Sequence, residues 1–241
     1  MTRRHSPDNP SEQPPDIEQR DPRFLALLES AAHLQRLIPG AVLVGGAAAI
    51  LYADHRESSD HDHVVADLAD RFEIVLEAVE GDEGWATNRV TPGKVILGNL
   101  DGIEAGVRQM IRKRPLEIAE VELPSGGKVT VPTLEETLRI KAFLLVRRNQ
   151  TRDYLDLAAL SEHLEASAAA VLTQIDDYYA DQHEEGAGVA SQVVRQLSDP
   201  RPADPSVIDQ LGSYRRLRRH WTDWSAVSDV LEDVAARMVR P

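Results

Sequence analysis

Asp60 and Asp62 are separated by one residue, His61, within the run Val42 to Val65, VLVGGAAAILYADHRESSDHDHVV. On an extended strand, residues i and i+2 project from the same face, so the two carboxylates share one site. Held a few ångströms apart they repel each other unless a cation lies between them. Mg²⁺ takes oxygen ligands of this kind together with substrate phosphates. His61 falls on the opposite face of a regular strand, and oxygen suits Mg²⁺ better than imidazole does, so His61 and His63 read as packing or surface residues. Upstream, the β-branched run Val42-Leu43-Val44 ends at Gly45-Gly46, followed by a small-residue segment of helical character. Paired glycines let a phosphate approach the backbone, and a helix starting there turns its first N–H groups toward that anion. Ser58 adds a hydroxyl. Arg56 could neutralise a phosphate or pair with an internal acid. These residues together describe a metal-dependent nucleotide site.

The order Gly-Gly, Arg56, Ser58, Asp60, Asp62 resembles the signature of the polymerase-β-type nucleotidyltransferases, and most closely that of the AbiEii/AbiGii-type nucleotidyltransferase toxins. A second segment strengthens the resemblance: Val131-Pro132-Thr133-Leu134-Glu135, Leu138-Arg139-Ile140-Lys141, Arg147-Arg148-Asn149 and Thr151-Arg152-Asp153-Tyr154-Leu155-Asp156-Leu157. The similarity covers roughly residues 40 to 160. It implies a lysine and an aspartate acting with the first two acids, which places Lys141 at the triphosphate and either Asp153 or Asp156 in the site. It also implies Mg²⁺ as cofactor, a nucleoside triphosphate as substrate, an RNA acceptor such as the tRNA 3′ end, and a cognate antitoxin as partner. Members of the superfamily often carry a third carboxylate on a later strand as general base. Glu104 is the candidate, because in Ile103 to Arg108 it alternates away from the apolar Ile103, Ala105 and Val107.

Composition limits the rest. The chain has 241 residues, a formal charge of −13 and no cysteine. Disulfides and thiolate metal sites are excluded. No apolar run reaches the ~18–20 residues that span a bilayer, and the start of the chain lacks a signal-peptide core, so the protein reads as cytoplasmic with no membrane partner. The negative balance argues against broad binding to nucleic acid. Two local basic clusters stand out: Arg108, Arg112, Lys113 and Arg114, and Arg215, Arg216, Arg218, Arg219 and His220 between Tyr214 and Trp221. Either could hold RNA phosphates beside a stacked base, or be a solvated helix face.

Positioning the acids requires a strand–helix–strand unit over residues 42 to 65. Before it, Phe24 to Ile38 has a helical apolar face; after it, residues 67 to 80 read as a helix. Strands are expected at 85–90, 94–97, 103–110, 116–123 and 128–131, and helices at 134–147, 152–163, 166–180, 189–197 and 226–238. The expected fold is therefore α+β, a nucleotidyltransferase-like mixed sheet with flanking helices followed by an all-helical half. It divides into a disordered, Pro- and Ser-rich tail (1–22), the α+β core (23–132) and a helical domain (133–241). Two rival functions stay open: transfer to a small cationic molecule such as an aminoglycoside, or to a protein; and a catalytically silent nucleotide-binding module.

Overall fold

The computed structural model describes residues 17, 19–182 and 188–240. Most of the expected tail lies outside them, but its inner end is packed: Ile17 is buried, and Arg20 donates to the Leu51 carbonyl at 2.7 Å and pairs with Asp54 at 2.8 Å. Proline at the first turn and the Asp21 side chain, which accepts from the Arg23 N–H, start α1 (Pro22–Leu37).

The strand–helix–strand unit is β1 (Val42–Val44), α2 (Gly45–Ala53) and β2 (Asp60–Val65). The expected helix over 67–80 shortens to α3 (Phe72–Glu80), because residues 66–71 form turns. Three strands follow as a meander, β3 (Trp85–Thr91), β4 (Val95–Leu100) and β5 (Ile103–Gln109). The sheet order is β1-β2-β5-β4-β3, with β2 and β5 parallel and the other pairs antiparallel. The last two strands, β6 (Ile118–Glu122) and β7 (Lys128–Pro132), leave the meander and pair as a separate hairpin. Its Val121, Val129 and Val131 pack with Leu28 of α1 and Leu43 of β1.

Strand gives way to helix at Pro132. Thr133 caps α4 (Leu134–Arg148) by accepting from the Glu136 N–H, and Asn149 ends it in the left-handed conformation. α5 (Thr151–Leu164) follows. The helix expected over 166–180 breaks at Gln174 into α6 (Ser167–Thr173) and α7 (Ile175–Tyr178). α8 (Val189–Leu197) and α9 (Trp224–Met238) complete the helical half, with short 3₁₀ turns between them. Helix α2 ties the two halves together. Ala47 and Ile50 pack with the hairpin, whereas Ala49 and Ala53 pack with α4 and α5. A short helix apolar on every side suits that central place.

Strand β2 alternates. His61, His63 and Val65 face the interior, and Asp60, Asp62 and Val64 face the opposite side. His61 shares a hydrogen bond with Ser30 Oγ at 3.1 Å, while neither ring nitrogen of His63 has a partner among the described residues. Burial pushes His61 down to about 4 and His63 well below its ordinary value. Burial also lowers His55, against the opposing pull of Asp156. The folded protein therefore binds fewer protons than the unfolded chain below the ordinary histidine value. Stability is full above ~6.5 and is lost as pH falls toward the folded values. His61 alone accounts for about 2 kcal/mol of loss between about pH 7 and pH 5, and His55 and His63 act in the same direction. Urea unfolding at the two pH values checks this; equal stability at both would contradict it.

Candidate active site

Residues from both halves line a cleft of about 230 Å³. Its floor is the polar face of the sheet. The parallel register sets Asp60 beside Glu104 and Asp62 beside Gly106, so all four positions share that face. Asp60 is exposed and Asp62 half-buried. A Cβ on Gly106 would meet Asp62 Oδ1, so a larger residue there would push that carboxylate aside. The Ser58 hydroxyl donates to Asp60 Oδ1 at 3.3 Å, and Arg108 Nε donates to Asp62 Oδ1, also at 3.3 Å. Arg108 is half-exposed, so its pairing with Asp62 is weak and open to displacement by a cation.

The end of the cleft is the N-terminus of α2, where no side chain caps the helix and Gly45 and Gly46 line the wall. Gly45 sits at φ +76°, a left-handed conformation that turns the chain from strand into helix. Gly46 makes room for its neighbours: a Cβ there would stand 2.9 Å from Arg56 Nη2 and 3.2 Å from Ser58 Oγ.

Lys141 also lines the cleft, but its ammonium is turned into the protein, donating to Asp156 Oδ2 at 2.6 Å. Asp156 is fully buried. It also accepts from Arg56 Nε at 2.7 Å, from Arg56 Nη2 at 3.0 Å, and shares a 2.7 Å hydrogen bond with His55 Nε2. Burial pushes the Asp156 carboxyl up. The Arg56 and Lys141 charges, with the His55 and Arg56 hydrogen bonds, outweigh that and hold it well below the usual carboxylate range. Of the two roles open to Arg56, the internal ion pair is the one it takes.

Asp60, Asp62, Gly45, Gly46, Arg56, Ser58 and Lys141 thus meet in one cleft. Three sequence candidates do not line it. Asp156 has no free oxygen for a metal and reaches the cleft only through Arg56 and Lys141. Asp153 is buried on the first turn of α5 and accepts from Arg148 Nη2 at 2.8 Å, positioning an arginine that lines the cleft. Glu104 is exposed beside Asp60 but outside the cleft wall.

The cleft also contains Arg108, Arg112, Arg148, Arg152 and Tyr179. The first basic cluster is not a helix face: Arg108 ends β5, and Arg112 is buried in the loop after it, paired with Glu136 and 5.0 Å from the Tyr179 ring. Arg148 and Arg152 bracket the α4–α5 turn. Their spacing across Asn149 was the signal available in the sequence.

Oxygen-only donors on one open face suit a Mg²⁺ ion that completes its shell with phosphate and water. Among the described residues no group of three or more His, Asp or Glu side chains could hold a metal ion. Among the described residues, too, no helix is long and apolar enough to cross a membrane.

No protein-family model matches the chain. A 94-residue stretch, 39% of the chain, is 45% identical to 9% of the transport protein MmpL11 of Mycobacterium leprae. A 129-residue stretch, 53% of the chain, is 35% identical to 13% of the mycolic acid-containing lipids exporter MmpL11 of Mycolicibacterium smegmatis. The chain thus spans only about a tenth of the length of these relatives. Among solved structures, a Helicobacter pylori protein described as a nucleotidyltransferase overlaps 89% of this chain with 92% of its own at a TM-score of 0.48 and 16% identity, too loose a match to carry an inference. These matches place the chain in no family, and its function has to be read from the cleft.

Proposed function

We propose that the chain is a Mg²⁺-dependent nucleotidyltransferase that takes a nucleoside triphosphate and transfers the nucleoside monophosphate to an RNA acceptor such as a tRNA 3′ end. The observation that carries the reading is the pairing of Asp60 and Asp62 on one open face, with Asp62 beside the uncapped start of α2 at Gly45. The α2 N–H groups and the Ser58 hydroxyl hold phosphate oxygens. Arg108 and Arg148 offset the charge that develops on the leaving group. A hydroxyl oxygen of the acceptor bonds to the α-phosphorus, the bond from that phosphorus to the α–β bridging oxygen breaks, and pyrophosphate leaves with the electron pair. The hydroxyl proton goes to a carboxylate on the same face of the sheet, and Glu104, exposed beside Asp60 though outside the cleft wall, is our candidate for it. Mg²⁺ held by Asp60 and Asp62 would supply charge neutralisation at the phosphates.

Asp156 acts behind this machinery. It ties the guanidinium of Arg56 and the ammonium of Lys141 into one buried cluster behind the cleft wall, which holds that wall in a single arrangement. A role as a growth-arresting toxin restrained by an antitoxin, in the cytoplasm, rests on the resemblance of the two motifs.

Calorimetric titration with a non-hydrolysable nucleoside triphosphate analogue tests the site. The expected result is binding that weakens about tenfold or more when Mg²⁺ is chelated. Binding indifferent to Mg²⁺, or none with any of the four bases, would contradict the reading.

A further inference from the structure

A second, wider groove of about 530 Å³ opens from the same point. It shares Arg56, Ser58, Asp60 and Arg152 with the cleft, and its outer wall is formed by Tyr214 and Arg215. That wall is built into the fold. The Glu57 N–H donates to the Arg215 carbonyl at 3.1 Å, and the Arg218 N–H donates to the His55 carbonyl at 2.9 Å, so the 214–218 segment is pinned to the connection between α2 and β2 that leads into the site. Within it Arg216 pairs with Asp21, and Arg218 faces Asp54 at 3.8 Å. Arg215 and Arg152 form no ion pair among the described residues, and both are exposed. Tyr214 is half-buried, anchored against the helical core with part of its surface open to the groove. Glu57 and Asp60 are the acids on this wall.

We infer that this groove is the acceptor subsite and that it receives the end of a single-stranded nucleic acid, the terminal base stacking on Tyr214 and the adjoining phosphates lying on Arg152 and Arg215. The inference rests on the nucleotidyl-transfer reading for which cavity is donor and which acceptor. Two cavities meeting at Asp60 allow a triphosphate to reach the acids from one side and an attacking hydroxyl from the other. The unpaired cations on the groove wall disfavour a cationic small molecule, which was a rival acceptor. A ring beside two free guanidinium groups matches the stacking and phosphate contacts that hold unpaired strands. The charge of −13 confines the contact to a few nucleotides, because a longer polyanion is repelled by the rest of the surface.

The test is fluorescence anisotropy with a short labelled single-stranded RNA, without nucleoside triphosphate, on the wild type and on Tyr214→Ala, Tyr214→Phe and Arg215→Ala. Tyr214→Ala is expected to weaken RNA binding by at least about fivefold, the low end of one base-stacking contact, and Tyr214→Phe to retain it. Arg215→Ala should also weaken binding and flatten its salt dependence. Titration of the triphosphate analogue should be the same in all three variants as in the wild type. RNA binding untouched by Tyr214→Ala and Arg215→Ala, or absent from the wild type, overturns the inference. RNA binding that depends on both residues, in a protein that takes no triphosphate, would sink the transfer reading while the groove keeps its nucleic-acid ligand.

Discussion

Asp60→Ala and Asp62→Ala are each expected to lower nucleotide transfer by about 10²–10³-fold while the unfolding midpoint stays near that of the wild type. The two effects separate because of where the side chains stand. Asp60 is exposed, and Asp62 makes one long contact with a half-exposed arginine, so neither holds the fold together. Together, though, they are the only acids lining the cleft among the described residues, and removing either leaves a single carboxylate to hold the metal. Asp62→Ala also frees Arg108 to attract the triphosphate in a non-productive pose, so its nucleotide affinity should fall less than its turnover. Full activity in either variant would remove the acids from the mechanism.

Asp156→Ala has the opposite profile, a large loss of stability. The carboxylate is fully buried and compensates two cations, Lys141 at 2.6 Å and Arg56 through two hydrogen bonds. Deleting it leaves the Lys141 ammonium, Nε and Nη2 of Arg56, and the 2.7 Å partner nitrogen of His55 without the acceptor they share. Breaking a buried ion pair from one side costs about 3–5 kcal/mol. Asp156→Asn should recover only part of this, since an amide keeps the shape but neutralises neither cation. Urea unfolding gives the number, and a change below about 1 kcal/mol would mean the cluster is not what holds α5 against the 54–57 segment. If the protein survives the substitution, transfer should fall as well, because Arg56 and Lys141 lose the group that orients them.

How much of this could be read from the sequence depends on range. The 42–65 unit was legible because everything it needs is local: a β-branched run, two glycines, small helical residues and a period of two that separates Asp60 and Asp62 from His61 and His63. The partnership of β2 with β5 was not, because parallel pairing is decided across the intervening α3, β3 and β4 rather than by either strand's own pattern. The same holds for the hairpin of β6 and β7, whose alternation looks like that of any other strand. Residues 67–71 are not helical although Leu68 and Phe72 fit a helical spacing, because Leu68 is buried from a turn. Asp156 was picked out by its motif, but its task was hidden: its partners lie 15, 100 and 101 residues away, and only folding shows that they leave it no free oxygen. Tyr214 and Trp221, alike as brackets of a basic run, part company in the same way. Trp221 is core, and Tyr214 faces the groove.

The measurement that bears most directly on the central claim is incubation of the purified protein with each α-³²P-labelled nucleoside triphosphate, Mg²⁺ and total cellular RNA, with Asp60→Ala alongside. The account predicts label on an RNA band, dependent on Mg²⁺ and absent in the variant. Label that persists in Asp60→Ala, or no label on RNA with any nucleotide, would contradict it.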